Sequence, residues 1–167
     1  MASFNKAIST EFFESILPVY GQPRASVPVW NEAQRMFLCG QYESARGNRY
    51  LMGVRFCDKV VVVEKIGMYH SWTYIDGIEL YAFNGKRLEL VQKRDYEKVF
   101  RNDEFVRKET ESMLFDYMKS TMKMNRCDLP DERIKSEAVA VVESCCKSFL
   151  DSDYNVTLNQ ILLQIEK

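Results

Sequence analysis

The stretch YHSWTYIDGIELYAFNGKRLELV, residues 69–91, decides the fold. Its apolar segments are separated by Asp76-Gly77 and Asn84-Gly85, two dipeptides that accept the positive φ angles of a two-residue β-turn. Strands joined by such short turns must run antiparallel, because parallel neighbours need long crossover connections. We therefore expect a β-meander in which the chain reverses at both dipeptides.

More strands precede this stretch. Apolar side chains alternate with other residues along 50–56, which predicts a strand with one buried face. Val60–Val63 is the most β-branched run of the chain and indicates a central strand that is covered on both faces. Gly67 allows the chain to reverse after this run. Together with a strand over 35–41, these patterns predict about six strands over roughly residues 35–92.

Helices are predicted on both sides of the strands. Apolar residues recur with helical spacing over 3–17, which predicts an N-terminal helix. Residues 95–167 are expected to be helical. The first apolar stripe runs from Tyr96 onward and weakens at 101–103, where we expect a kink or a restart with Asn102 as N-cap. Residues 128–131 are expected to open the next helix with Pro130 in its first turn, and a capping box at Thr157 to open the last.

This order of elements predicts an α+β protein that forms a single domain over residues 1–167, with the strand block at 29–92. A chain of this length can bury a hydrophobic core of its own. Each predicted helix has one apolar stripe and must lie against the sheet or another helix. We expect one antiparallel meander sheet of about six strands, with one N-terminal helix and three or four C-terminal helices packed on it.

Charge and cysteine content limit the surroundings of the protein. The chain has 23 Lys and Arg against 24 Asp and Glu, and residues 25–94 carry a net charge of +3. The total charge gives no strong field that favours nucleic acid, and the strand block is mildly basic. No signal peptide is expected in the first 17 residues, and no segment approaches the ~20 apolar residues of a membrane span. The five cysteines are odd in number and lack Cys-x-x-Cys spacing, so we expect thiols in a cytoplasmic protein without membrane contact.

His70 is the single histidine of the chain, and this limits the chemistry. The sequence has no phosphate-binding glycine motif, no nucleophile elbow and no cysteine spacing typical of zinc. A Cys–His dyad of His70 with Cys39 or Cys57 stays open, because such partners meet in space rather than in sequence. We predict no catalytic residue, no metal and no cofactor, and the sequence favours a protein that is not an enzyme.

One face of the predicted meander is rich in aromatic side chains. If a turn at Asp76-Gly77 joins two strands, that face presents five candidate binding residues: His70, Trp72, Tyr74, Tyr81 and Phe83. They could bind a ligand or a partner protein, or they could be core beneath the helices. They could also stack on single-stranded RNA with help from four nearby cations: Arg55, Lys65, Lys86 and Arg87.

Our first hypothesis is a small, soluble, non-catalytic protein that acts by protein–protein interaction, in a regulatory or adaptor role or as a homodimer. Aromatic and methionine residues suit such interfaces, and Met122 and Met124 are expected to stay uncovered at the end of a helix. The alternative is a domain, or an enzyme, that binds a small apolar ligand in a cavity on the aromatic face. Weak RNA binding by the strand block is the third hypothesis, although nucleic acid is not expected to be the main partner.

Overall fold

A computed structural model describes residues 29–43, 49–57, 60–69, 72–83, 88–124 and 129–145. These residues form six strands and two helices: β1 Val29–Asn31, β2 Met36–Glu43, β3 Arg49–Cys57, β4 Val60–Tyr69, β5 Trp72–Phe83, β6 Leu88–Phe100, α1 Asp103–Met124 and α2 Asp131–Glu143. The strands lie side by side in chain order, and each pairs antiparallel with the next. The predicted α+β class and the six-stranded antiparallel meander are therefore confirmed.

The helix count differs from the prediction. The described residues contain two helices after the sheet, where three or four were expected for 95–167. The expected helix at 3–17 and the one expected from Thr157 lie outside the described residues.

Two predicted reversals are wrong. Gly67 lies inside β4, opposite Tyr50 and Tyr74, and Gly77 lies inside β5, opposite Lys65 and Asp95. In the observed register Asp76 is skipped, because Lys65 pairs with Gly77 while the next residue pairs with Ile75. Asp76 is thus the extra residue of a β-bulge, which bends a strand without reversing it.

Strand β6 continues to Phe100, eight residues beyond the predicted strand block, so residues 95–100 are strand where a helical stripe was expected. The prediction failed because β6 is irregular. Its pairing with β5 shifts at two places, and Lys98 has a φ of 54°. Such irregularities break the period-two alternation that identifies a strand.

The first helix begins at the predicted restart, and the second begins within the predicted segment 128–131, with Pro130 as its N-cap and not in its first turn. Asn102 accepts a hydrogen bond from the backbone N–H of Phe105 at 2.8 Å, as an N-cap residue does. Asp103 and Glu104 then fill the first turn of α1, where the helix dipole favours acids. Helix α2 starts directly after Pro130.

The main core lies between the helices and one face of the sheet. Its buried members come from β3 to β5, from both helices and from the residues after α2: Cys57, Val60, Val62, Ile75, Ile78, Leu80, Ala82, Val106, Met113, Leu114, Met118, Met122, Ile134, Ala138, Val141 and Cys145. Ile134, Ala138 and Val141 thus form the buried face of α2. Met122, expected to be uncovered, is only 2% exposed, and the side chain of Met124 lies outside the described part.

The opposite face of the sheet is buried at its centre as well. Met52, Val54 and Phe56 of β3 have no exposed surface, and neither do Val61 and Val63 of β4. All of Val60–Val63 is therefore buried, which confirms the prediction of a central strand covered on both faces.

A buried ion network joins the sheet to the start of α1. Glu64 of β4 has no exposed surface and faces the helices. Its carboxylate accepts hydrogen bonds from Arg55 Nη1 at 3.0 Å, from Arg101 Nη2 at 3.2 Å and from Arg101 Nε. Burial acts to lower the pKa of Arg101, but the hydrogen bonds and charges of Glu64 and then Asp103 outweigh it and raise that pKa. Both oxygens of Glu64 are occupied, so this carboxylate holds the fold together.

A second polar network joins β6 to α1. The Tyr96 hydroxyl donates a hydrogen bond to Glu109 Oε1 at 2.8 Å. Arg94 lies 3.4 Å from Glu109 and 3.1 Å from Asp116. The pKa of Tyr96 is raised by burial, then by the hydrogen bond to Glu109 and its charge, with Arg94 opposing.

Candidate functional site

The five predicted site residues do not form one group. Trp72, Tyr74 and Tyr81 all lie on β5. His70 lies outside the described residues, and so does the side chain of Phe83. Tyr74 and Tyr81 are seven residues apart on a single strand, a separation of about 23 Å at 3.3 Å per residue.

The bulge at Asp76 puts the two ends of β5 on one face nevertheless. A strand alternates its side chains between faces, so residues 74 and 81 would face opposite ways on a regular strand. The extra residue shifts the alternation by one, and Tyr74 and Tyr81 stand opposite Gly67 and Val61, which share a face of β4. The predicted shared face therefore arises from a bulge within one strand.

Trp72 and Tyr74 instead meet Phe100, a residue that the sequence assigned to a helix. Phe100 pairs directly with Tyr74 across β5 and β6, and their rings stack at a centroid distance of 5.0 Å with an interplanar angle of 24°. The Trp72 ring meets the Phe100 ring edge to face at 5.4 Å. We call Trp72, Tyr74 and Phe100 the aromatic cluster.

The aromatic cluster is exposed. Trp72 has 56% and Phe100 55% of its surface accessible, and Tyr74 is half-buried. Leu90 is the third large hydrophobic residue that stands out as exposed in the described part of the chain. Single exposed apolar residues are ordinary, but two that pack on each other form a patch, and patches mark interaction sites.

A carboxylate lies beside the cluster. A Cβ atom built on Gly67 would lie 2.8 Å from Asp76 Oδ2 and 3.1 Å from Oδ1, so the carboxylate fills the space that the glycine leaves. Because Gly67 stands opposite Tyr74, this places the charge next to the aromatic rings. Burial raises the pKa of Asp76, and the positive charge of Lys65 partly offsets this increase.

The same face carries more acid than base beyond Asp76. Lys65 Nζ lies 3.9 Å from Glu79 Oε2 and 4.0 Å from Asp95 Oδ1, and Lys93 lies 4.0 Å from Asp95 Oδ2. The three carboxylates of Asp76, Glu79 and Asp95 thus face two ammonium groups. These five side chains carry one more acid than base, and the exposed Glu97 and Lys98 of β6 add one charge of each sign.

Tyr81 belongs to this acidic part of the face. Its hydroxyl donates a weak hydrogen bond to Glu79 Oε1 at 3.4 Å. Burial, then the charge of Glu79 and this hydrogen bond, raise the pKa of Tyr81 above its ordinary value. The tyrosine therefore stays neutral near pH 7.

The other residues considered for RNA binding or catalysis lie on the helix side of the sheet or outside the described residues. Arg55, a candidate RNA contact, lies on the helix side of the sheet and binds Glu64. Lys86 and Arg87 lie outside the described residues, as do His70 and the side chain of Cys39. Within the described ranges, no three His, Cys, Asp or Glu residues are grouped to hold a metal ion. Neither described helix combines the length and apolar character needed to cross a membrane.

Phe100 is the member of the site that sequence reasoning missed. Phe100 comes directly before Arg101 and the cap residue Asn102. This position could have indicated the end of a strand, because a helix that starts at a cap must follow another element.

Comparison with known proteins adds nothing to the description of this site: no family model, no curated protein and no solved structure matches the chain.

Proposed function

We propose that this protein is not an enzyme and acts by binding a protein partner, which docks a cationic side chain on the aromatic cluster. The observation that carries the proposal is the exposure of Trp72 and Phe100, each more than half accessible while packed on the other, at the edge of an acidic sheet face. A regulatory or adaptor role requires such binding and no catalysis.

The rings and the carboxylate together fit a lysine or arginine. A cation over an aromatic ring is attracted by the electron-rich face, and Trp binds best. A guanidinium plane can stack on the ring and still reach a carboxylate with its N–H groups. Asp76 supplies that carboxylate beside Tyr74. Trp and Tyr are also the residue types that dominate the energetics of protein interfaces.

Charge disfavours the RNA hypothesis for this face. A phosphate that approached the cluster would meet Asp76, Glu79 and Asp95. Lys65 could attract it, but its ammonium group already lies among those carboxylates. A cationic partner gains from the same arrangement.

Geometry supports a docking surface over a cavity for an apolar ligand. That alternative required Trp72 and Tyr81 to line one concavity, and about 23 Å or more separates Tyr81 from Tyr74 and Trp72 along β5.

Backbone pairing with a second copy is disfavoured at the neighbouring edge. No described strand pairs with the outer edge of β6. The strand has two register shifts and exposed charges at Lys93, Asp95, Glu97 and Lys98. Bulges and charges are the features that prevent edge-to-edge association. The partner is therefore expected to bind through side chains at the aromatic cluster.

An affinity measurement tests this proposal. We expect an arginine-only hexapeptide to bind the protein and a glutamate-only hexapeptide to show no binding. Trp72→Ala should weaken arginine binding about tenfold, because a partly desolvated cation–π contact contributes roughly 1–2 kcal/mol. Leu90→Ala is the matched control, since it removes an exposed apolar residue outside the cluster, and should leave the affinity unchanged.

Three results would overturn the proposal. Equal arginine affinity in the wild type and Trp72→Ala would remove the cluster as the site. Salt-dependent binding of an oligouridine that Trp72→Ala abolishes would make RNA the occupant. A dimer in light scattering that Trp72→Ala converts to a monomer would make a second copy the occupant.

A further inference from the structure

Two thiols meet on the side of the molecule where α2 ends against the sheet. Cys57 is the last residue of β3, and Cys145 follows the end of α2 by two residues. Their Sγ atoms lie 3.2 Å apart although 88 positions separate them in the chain. Both are thiols, and they are 1% and 6% exposed. The fold has therefore brought two distant cysteines into direct contact inside the core.

Two arginines and a second thiol act on Cys145, whose Sγ also donates a hydrogen bond to the backbone oxygen of Val142 at 3.1 Å. The Arg35 guanidinium donates a hydrogen bond from Nη2 to the backbone oxygen of Cys145 at 2.6 Å, which holds a positive charge beside this residue. The hydrogen bond with Cys57 lowers the pKa of Cys145, burial opposes it, and the charges of Arg55 and Arg35 lower it further. A thiolate rather than a thiol is the reactive form of cysteine.

We propose that Cys57 and Cys145 are a modification site at which a hydroperoxide forms an intramolecular disulfide. The Sγ atoms must approach by about 1.2 Å, from 3.2 Å to the ~2.05 Å of an S–S bond. The product would tie the end of α2 to the end of β3.

The reaction balances with hydrogen peroxide as the oxidant. The Cys145 thiolate attacks one peroxide oxygen, the O–O bond breaks, and the leaving hydroxide takes up a proton to become water. The resulting sulfenic acid is then attacked at sulfur by Cys57, the S–O bond breaks, and a second water leaves with the Cys57 proton. Two thiols have lost two electrons and two protons, and one peroxide has become two waters.

Burial selects the oxidant. At 1% and 6% exposure Cys57 and Cys145 are reached only through local openings of the structure, and these admit peroxide, which is little larger than water, more readily than a bulky disulfide such as oxidised glutathione. We therefore expect peroxide to oxidise this pair faster than oxidised glutathione does.

The test is peptide mapping of the intact protein, because the chain contains three further cysteines: Cys39, Cys127 and Cys146. After limited peroxide treatment, mass spectrometry without reductant should find one linked peptide pair that joins Cys57 to Cys145, with the loss of two hydrogen atoms. Dithiothreitol should reverse the change. Linkage of Cys145 to another cysteine, or a pair that stays reduced while other cysteines oxidise, would overturn the proposal.

Two variants separate the steps. In Cys57→Ser the resolving sulfur is absent, so dimedone added as the peroxide-treated protein is unfolded should label a sulfenic acid at Cys145 that it does not trap in the wild type. Arg35→Gln should slow the oxidation several-fold while the same disulfide still forms. An unchanged rate in Arg35→Gln, together with dimedone labelling of Cys57 in Cys145→Ser and no labelling of Cys145 in Cys57→Ser, would assign the attacking thiolate to Cys57 and refute the proposed order.

Discussion

Replacement of Glu64 by Gln should destabilise the protein strongly. The substitution keeps the shape of the side chain but removes the charge that compensates Arg55 and Arg101, whose side chains are 14% and 8% exposed. Breaking a buried ion pair by removing one partner typically costs about 3–5 kcal/mol, and we expect about 3 kcal/mol because Gln retains one acceptor oxygen. That is a large part of the ~5–15 kcal/mol that stabilises an ordinary domain.

Urea unfolding followed by circular dichroism measures this effect. With a slope of about 2 kcal/mol per molar urea, a loss of about 3 kcal/mol lowers the midpoint by about 1.5 M. Glu104→Gln is the matched control, because the Glu104–Lys108 pair is 68% exposed on both sides and contributes less than about 0.5 kcal/mol. The triple variant Arg55→Met, Glu64→Leu, Arg101→Met should recover to within about 1 kcal/mol of the wild type, because it leaves no buried charge uncompensated.

The reasoning would be refuted if Glu64→Gln moved the urea midpoint no more than Glu104→Gln does. It would also be refuted if the triple variant were less stable than Glu64→Gln. The first result would mean that water reaches the two guanidinium groups, and the second that the ion network is worth more than the packing that replaces it.

Two further predictions concern Tyr96 and Gly67. Because the folded protein raises the pKa of Tyr96 above the ordinary ~10, the unfolded chain releases that proton first, and stability should fall as the pH rises above about 10. The urea midpoint should therefore be lower at about pH 11 than at about pH 9. This decrease should be smaller in Tyr96→Phe than in the wild type, and an equal decrease would contradict the assignment of the pH effect to Tyr96. Gly67→Ala should displace the Asp76 carboxylate, which lies 2.8 Å from the new Cβ position, and weaken the arginine hexapeptide several-fold. Gly53→Ala, whose Cβ meets the flexible end of Met36, should bind that peptide like the wild type, and equal affinities in the two variants would contradict a role for Asp76.

Local patterns predicted the elements whose signals are local. The four valines of 60–63 indicate a strand that can be covered on both sides, and Asn102 followed by Asp103 and Glu104 indicates a helix start. Both predictions agree with the structure because each depends only on the preferences of a few adjacent residues.

The bulges could not be predicted in the same way. Asp-Gly at 76–77 suits a tight turn, and nothing in its neighbours says that the register with β4 will place it inside a strand. Pairing along the whole of β4 and β5 outweighs the turn preference of two residues. The same long-range register brings Phe100 to Tyr74 and so creates the aromatic cluster.

The contact between Cys57 and Cys145 is also a product of tertiary structure. The sequence showed an odd number of cysteines and no recognisable spacing. Only the packing of α2 against the end of β3 brings the sulfur atoms to 3.2 Å. The dyad considered from the sequence involved His70, which lies outside the described residues, and the structure adds a second cysteine as a neighbour of Cys57.

The most direct test of the central claim is a nuclear magnetic resonance titration of the two indole N–H groups. Trp72 belongs to the aromatic cluster, whereas Trp30 donates its N–H to Glu32 at 2.7 Å and packs edge to face on Phe37. The arginine hexapeptide should shift the Trp72 resonance and leave Trp30 in place, and the same peptide with citrulline, which is uncharged, should shift neither. Movement of Trp30 alone, or equal movement of Trp72 with citrulline, would contradict a cation-binding site at Trp72, Tyr74 and Phe100.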